Sequence, residues 1–522
     1  TVYDVKFYTK DPNGQPDQFP ADDTLAINGL RTGLSGTFTL NPGLAASATN
    51  FTDFASLEAS LNNTGVCGNV VVDVAPGIYN QNLTLDNVPG LDMNNTLTID
   101  GGDSTLVTMS GNIGNNPYLV AINNSPYVTI KNMTLENTYT GTLDHYGVHL
   151  SGGTHHDSLV NLYIKMNPSN TFGAEGITAS SILSNNFGEG DNANFTTVMG
   201  CNITGGDYSI HFEGGTAGNW NVGNTFINNT MSNMEQYGFY FDEQDSVTVI
   251  GNNITGMRGT FAGGVYGFDC MHMRVNENYI ESPDYGIYFS DANSDRPSDF
   301  NAEFINNMVS STGDIGIYLI DARAVNFFHN SVYVEGTQPA VQFLGTLTDS
   351  IDVRNNIFAS LTSEAFEITE PDTVFIKFDN NVYYTTGIDL LNIDGTTYPD
   401  LASYVTAQPL YNSLSLDGDP QFASTTDLHI VGAFVNDAGD NSVGVTVDID
   451  GETRPFTGAT DVDPGADEFA PPTCPPPANA IVDQITDISA VARWLTNTSG
   501  NVVQVQLVAC GAGVGSFTNN VN

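Results

Sequence analysis

An asparagine followed by a short strand-like run recurs along this chain at a spacing that few folds can accommodate. The pairs are Asn132-Met133, Asn161-Leu162, Asn202-Ile203, Asn229-Thr230, Asn253-Ile254, Asn278-Tyr279, Asn307-Met308, Asn330-Ser331, Asn356-Ile357 and Asn381-Val382. From Asn202 the steps are 27, 24, 25, 29, 23, 26 and 25 residues. A period in the twenties marks a solenoid. The units carry no helical periodicity, so each is read as short strands punctuated by Asn and Gly. One such unit cannot bury its apolar residues alone; it does so by stacking on its neighbours. Stacked units place their asparagines above one another, where one amide can bond the next. Asn also tolerates the left-handed backbone of a coil corner.

A second repeat lies between the asparagines. Its copies are Tyr146-Gly147-Val148-His149-Leu150, Tyr208-Ser209-Ile210-His211-Phe212, Tyr237-Gly238-Phe239-Tyr240-Phe241, Tyr266-Gly267-Phe268-Asp269-Cys270, Tyr285-Gly286-Ile287-Tyr288-Phe289 and Ile315-Gly316-Ile317-Tyr318-Leu319. Alternation in a strand gives two unlike faces. Stacking these copies predicts one outward column of His149, His211, Tyr240, Asp269, Tyr288 and Tyr318. Glu213 and Asp242 follow two residues along on the same face. Rings and carboxylates in a row, about 4.8 Å apart per coil, suit the stacking of sugar rings and the bonding of their hydroxyls. Paired carboxylates also suit general acid–base work, with Glu213, Asp242 and Asp269 beside His211 as the candidate set. The plainer alternative is that exposed aromatics on a sheet stabilise one another as cross-strand neighbours. His145, His155 and His156 are expected near the same face. Adjacent His155 and His156 point to opposite sides of a strand, so no zinc site is assigned to them.

The rest of the chain is read around this solenoid. Residues 1–50 are a lead-in with the strand Ser35–Leu40. Residues 51–393 are the solenoid, opened by a capping helix over 53–63 with Asp53 as N-cap, Phe54, Leu57 and Leu61 on its apolar face, and Gly65 beyond its end. Residues 166–200 are read as an inserted loop. Residues 394–470 break the rhythm and are read as the C-terminal cap. Residues 471–477 form a stiff Pro-rich linker. Residues 478–522 carry two alternating strands, Ala490–Trp494 and Val502–Val508, the opening of a β-sandwich too short to complete. The expected fold is therefore all-β: a parallel β-helix with an N-terminal capping helix and the start of a sandwich module.

Charge narrows the partners. The chain has 13 Lys and Arg against 59 Asp and Glu, a formal charge of −46. Phosphate binding needs clustered cations, so nucleic acid and anionic membranes are poor partners. No run of 18 apolar residues is present, so no membrane-spanning helix is expected. Calcium is the cofactor that the acidity would suit, and Asp461, Asp463 and Asp467 around Gly465 are the best-spaced oxygen ligands. The five cysteines lack metal-type spacing. Cys270 is expected in the core, and Cys474 and Cys510 are a candidate pair.

With these residues in view, the chain resembles the right-handed parallel β-helix proteins of the pectin-lyase-like superfamily over about residues 35–470. More narrowly, it resembles large secreted surface proteins of Bacteroidetes. Three stretches carry that resemblance: Gly65-Val66-Cys67-Gly68 through Pro76-Gly77-Ile78-Tyr79, Asp448-Ile449-Asp450-Gly451 through Gly465-Ala466-Asp467-Glu468-Phe469, and Cys474-Pro475-Pro476-Pro477 leading to Arg493-Trp494 in a fibronectin type III-like module. The resemblance implies a modular adhesin exported by the type IX secretion system. Its partners would be glycans, surface proteins and neighbouring modules of one longer chain. It also brings the enzymes of the superfamily into consideration, lyases and hydrolases of acidic polysaccharides. Their motifs are not met here. Gly77-Ile78-Tyr79-Asn80-Gln81 is similar to the opening of the pectin methylesterases, but Gln81 stands where their acid does. The polygalacturonase runs do not occur, and Arg258 and Arg274 are the few candidates for a lyase base. Three functions stay open from the sequence: a binding surface, a polysaccharide-degrading enzyme, and a spacer.

Overall fold

The computed structural model describes residues 2–8, 24–111, 117–141, 143–167, 173–215, 219–293, 301–469, 478–483, 491–495, 503–504 and 520–521. The chain forms two compact units, residues 1–468 and 469–522. In the second, Ala478–Asp483 pairs antiparallel with Val491–Leu495, and Val503–Gln504 with Asn520–Val521. The Pro-rich linker and the Cys474–Cys510 pair lie outside the described residues.

The first unit is a parallel β-helix. Each coil visits three long sheets in turn. One coil runs through Thr248–Ile250 in the first sheet, Asn253–Thr255 in the second and Gly263–Phe268 in the third. Each strand pairs in parallel with its equivalent one coil away. The inward residues stack in the same register: Ile210, Phe239, Val265, Ile287 and Ile317 form one column of the third sheet. Phe212, Phe226, Phe241, Phe289, Phe304, Phe327 and Phe343 are fully enclosed. Burial of about 2 kcal/mol per such side chain, repeated coil after coil, is what makes short strands stable here.

The corner between the first and second sheets gives two neighbouring residues two different roles. One residue of each coil takes the left-handed conformation: Asn161, Asn228, Glu277, Asn306, His329, Asn355 and Asn380 have φ between 50° and 59°. The next residue turns inward and forms a ladder. Asn229, Asn252, Asn278, Asn307, Asn330, Asn356 and Asn381 each pass a side-chain N–H to the Oδ1 of the next, at 3.0, 3.0, 3.0, 2.9, 3.0 and 3.0 Å. Thus Asn253 and Asn202 are corrections: each is exposed and begins a strand of the second sheet, while Asn252 and Cys201 hold the inward positions. At Asn253 the neighbouring Asn252 hid the one-residue offset; at Asn202 the inward position is taken by a cysteine, which the asparagine repeat does not announce.

Both ends of the solenoid are covered by helices. Phe54–Thr64 lies at the first coils, capped by the Asp53 carboxylate accepting from Ser56 N, with Phe54, Leu57 and Leu61 buried. Asn62 Nδ2 donates to Thr84 O, and Glu58 accepts from Thr84 N, so the helix also satisfies the edge strand Leu83–Asp86. At the other end Leu401–Ala407, capped by Asp400, buries Leu401 and Tyr404. The segment expected to be a cap over 394–470 does more than close the end. Beyond residue 418 it returns along the outside of earlier coils. Tyr279 Oη donates to Thr426 O, Asn306 Nδ2 to Val447 O, and Gly465 N to Asn355 O. Arg454, fully enclosed, holds this return together through Glu468 at 2.9 Å and the Gly465 carbonyl at 2.7 Å.

The span 166–200 is also corrected. It is not an insertion throughout: Ala174–Ala179 is a regular strand of the third sheet, paired with His145–Ser151 and Tyr208–Glu213. The loop proper is the shorter stretch from 180 to 190.

Candidate functional site

The outer face of the third sheet carries the site. Its register depends on close approach at glycine. A Cβ on Gly238 would lie 2.6 Å from both Ile254 Cγ2 and the Gly264 carbonyl; one on Gly264 would lie 2.4 Å from Ile280 Cγ2 and 2.6 Å from the Gly286 carbonyl. The strands of this sheet start where side chains of the second sheet press against the backbone, and only glycine fits there. Gly264, not Gly267, is therefore the equivalent of Gly238. This moves the expected column by one residue type: Tyr240 pairs with Tyr266, and Tyr266 with Tyr288. Asp269 is not in the column. It is an exposed residue just past the strand, with φ of 44°. Glu175-Gly176-Ile177-Thr178 is a further copy of the repeat that lacks its tyrosine, and it puts Thr178 between His149 and His211.

The outward column thus reads His149, Thr178, His211, Tyr240, Tyr266, Tyr288, Tyr318, and it has two halves. The tyrosine half is half-buried and open. Ring centroids are 5.8 Å apart for Tyr240–Tyr266, 4.3 Å for Tyr266–Tyr288 and 5.3 Å for Tyr288–Tyr318. A second row, Tyr208, Tyr237 and Tyr285, leans on the first. Tyr208 stacks on Tyr240 at 5.5 Å, Tyr237 on Tyr266 at 4.6 Å and Tyr285 on Tyr318 at 5.8 Å. Burial raises these phenols above their ordinary range, and carboxylates raise them further: Asp207 and Asp284 at Tyr237, Glu213 and Asp242 at Tyr240, Asp314 and Asp284 at Tyr285. The hydroxyls therefore stay protonated and able to donate. Arg258, at the neighbouring corner, is held by Glu235 at 3.6 Å and by the Asn233 carbonyl at 2.8 Å.

The histidine half is closed, contrary to the outward exposure expected of His149 and His211. Both are fully buried, because the 180–190 loop lies across them. His211 sits between two carboxylates, Nδ1 at 2.9 Å from Glu175 Oε1 and Nε2 at 2.7 Å from Glu213 Oε1. Burial alone would lower its pKa, but Glu175 and Glu213 outweigh it and bring it up to about 9. The imidazolium is thus the stable form. Glu175 also accepts from Thr178 Oγ1 and from Asn186 Nδ2, which ties the loop to the sheet. Phe187 from the same loop places its ring 4.9 Å from His211 and 5.7 Å from Tyr240. No hydrogen bond of good geometry reaches either ring nitrogen of His149, although the Ile182 backbone lies on that side. Burial lowers its pKa to about 4, so this second histidine is neutral.

Of the other expected histidines, His145 lies buried at the start of its strand against Tyr139, 5.0 Å between centroids. His155 and His156 form a separate stack with Tyr127 and Phe195 at the corner leading to the first sheet. Glu213 and Asp242 do meet as expected, as register partners on adjacent strands. Burial first, then Glu213, Glu243, Asp269 and Glu189, push the Asp242 carboxyl up to about 7. Its proton is therefore shared with neutral solution.

The expected calcium ligands are not assembled. Asp463 accepts from Asp437 N at 2.6 Å, Asp467 from Ile430 N at 2.7 Å and Asp461 from Asn441 Nδ2 at 2.8 Å. These bonds tie down the returning segment, each at a different place. Among the described residues the ligand atoms that converge are those of His429, Asp450 and Asp467. Both ring nitrogens of His429 are already taken, Nδ1 by Asp427 and Nε2 by Asp450 at 2.9 Å, and its pKa is raised by them.

Residues 188–358 match the model of the right handed beta helix region. No curated protein matches the chain significantly in sequence. Among solved structures, the chain is similar to pectate lyase Pel9A, with 13% identity, a TM-score of 0.41 and coverage of 85% of this chain and 98% of that one. The Azotobacter vinelandii mannuronan C-5 epimerase AlgE6 A-module gives 11%, 0.42, and 70% and 93%. The Streptococcus pneumoniae surface protein and adhesin PfbA gives 13%, 0.34, and 73% and 98%. The right-handed parallel β-helix is the architecture in common. At this distance the likeness says nothing about chemistry.

Proposed function

We propose that this chain is an extracellular β-helix segment of a surface protein that binds uncharged glycan chains along its tyrosine face. The observation that carries this reading is the row Tyr240–Tyr266–Tyr288–Tyr318 backed by Tyr208, Tyr237 and Tyr285. Half-buried rings stacked at coil spacing form a long, rigid, ring-lined strip whose hydroxyls still donate. Rigid tyrosines lose little entropy on contact, and their faces suit the apolar faces of sugars. The acids around the strip favour neutral chains over uronate polymers, because a carboxylated sugar would meet Asp284, Asp314 and Glu213 with like charge. The charge of −46 over the whole chain works the same way. Among the described residues no helix is long and apolar enough to cross a membrane. An array of neutral and uronate-containing oligosaccharides tests the reading. Saturable binding confined to neutral chains is expected; binding confined to uronates, or none, would refute it.

A further inference from the structure

The outward column has unlike ends. Towards later coils, Tyr318 is followed in register by Gln342, Glu367 and Asn392. All three are half-buried, so the face stays open to solvent along them. They form a polar ladder: Gln342 Nε2 donates to Glu367 Oε2 at 2.8 Å, and Asn392 Nδ2 to Glu367 Oε1 at 3.0 Å. Towards earlier coils the open column ends at Tyr240. The 180–190 loop lies on the next members, His211, Thr178 and His149, and all three are buried. That loop is folded on itself. Ser180 Oγ accepts from Gly188 N at 3.0 Å, Ser181 N donates to Gly188 O at 2.8 Å, and Asn192 Nδ2 donates to Gly188 O at 2.9 Å. It is also pinned to the sheet, by Gly190 N donating to Gly214 O at 2.9 Å and by Asn186 donating to Glu175. A loop bonded at this many points is a wall. Phe187 stands at its rim, 46% exposed, with its ring at 89° to that of Tyr240 and 5.7 Å between centroids. The two rings make an inside corner, with Tyr240 as floor and Phe187 as upright.

We propose that this corner receives the free end of a neutral glycan chain, an inference that rests on glycan binding along the tyrosines. The terminal sugar lies with one face on Tyr240 and its chain-terminal edge against Phe187. The chain then runs in one direction only, over Tyr266, Tyr288 and Tyr318 to the ladder of Gln342, Glu367 and Asn392, whose amides and carboxylate suit hydroxyls. From Tyr240 to Asn392 there are six strand spacings of about 4.8 Å, a track of about 29 Å. A chain lying on the track by its middle would have to continue over His211, and that path is filled by the loop. Two rings at right angles contact a sugar on two sides, so Phe187 contributes to affinity as well as to the stop. The wall is steric, so what it selects is a terminal ring with no glycosidic continuation on that side.

The test uses the full chain and whichever neutral oligosaccharide binds it best among the cello-, manno-, xylo- and malto-series. Stoichiometry decides first. Sedimentation velocity with chains of increasing length is expected to show a single protein per chain at every length. A number of proteins that grows with chain length would overturn the stop and leave glycan binding standing. A chain longer than the track is then given a bulky tag at its reducing or at its non-reducing terminus. One tag is expected to lower affinity by about 100-fold or more and the other by no more than about twofold, and the sensitive terminus is the one that enters the corner. Equal effects of the two tags would overturn the proposal. Phe187→Ala should weaken binding by about fivefold with an unchanged circular dichroism spectrum; unchanged affinity would remove Phe187 from the corner. Absence of binding in all four series would remove both readings together.

Discussion

Replacing Asn252 and Asn253 separately by alanine distinguishes the ladder from its exposed neighbour. Asn252 Oδ1 accepts from Asn229 N at 2.9 Å and from Asn229 Nδ2 at 3.0 Å. Its Nδ2 donates to Phe226 O and to Asn278 Oδ1, both at 3.0 Å. Nδ2 also reaches Ile250 O at 3.2 Å, so Asn252→Ala removes five bonds and leaves the buried Asn229 N–H without its acceptor. A buried donor left unmade costs about 1–3 kcal/mol, and each further bond contributes about 1 kcal/mol. The expected loss is about 3 kcal/mol after partial relaxation of the coil. Asn253 is exposed, so Asn253→Ala should change stability by no more than about 0.5 kcal/mol. Urea unfolding followed by circular dichroism reads the difference, and amide exchange at Asn229 reads where the coil has loosened. Equal losses, or a larger loss at Asn253, would refute the ladder argument and with it the corner geometry of every coil.

Other consequences follow from the closed half of the column. His211 has its pKa raised to about 9 from the ordinary 6.5. Its contribution to stability is complete below pH 6.5 and is lost as pH rises through about 9. Thermal melts between pH 6 and 10 should therefore fall in wild type and flatten in His211→Gln. His149 has the opposite sign, with its pKa lowered to about 4. It favours the folded state above pH 6.5 and loses that contribution as pH falls toward 4, and His149→Phe should be less sensitive to acid over that range. Phe187→Ala removes the ring over His211 and Tyr240; faster amide exchange at His211 with little loss of global stability is expected, because Phe187 is an exposed loop residue.

Much of the fold is legible in the sequence because it rests on local chemistry repeated many times. Asn278, Asn307, Asn330, Asn356 and Asn381 were each readable as ladder members, and Asp53 as the cap of the first helix. Errors arise where two residues of one type compete for a position. Asn253 stands beside Asn252, and Tyr266-Gly267 imitates the repeat while Gly263-Gly264-Val265-Tyr266 is the true copy. The deciding fact is that Ile280 presses on Gly264, a contact between residues on different sheets. The strand Ala174–Ala179 is missed for the converse reason: its Glu175-Gly176 keeps the glycine but not the tyrosine. Alternation assigns His149 and His211 correctly to the outer face, but a period says nothing of what lies over that face. The loop carrying Asn186 and Phe187 has no repeat to announce it, so the burial of both histidines and the clamp from Glu175 emerge only in three dimensions. The return of residues 418–469 over earlier coils is illegible for the same reason, since its bonds join positions such as Asn306 and Val447.

The central claim is that the tyrosine row is a binding surface, and calorimetric titration of a neutral oligosaccharide tests it most directly. Tyr266→Ala with Tyr288→Ala is expected to weaken binding by at least about tenfold, equivalent to about 1.4 kcal/mol. Asp269→Ala, outside the column, should leave the affinity unchanged. Loss of binding in Asp269→Ala with none in the double tyrosine variant would contradict it.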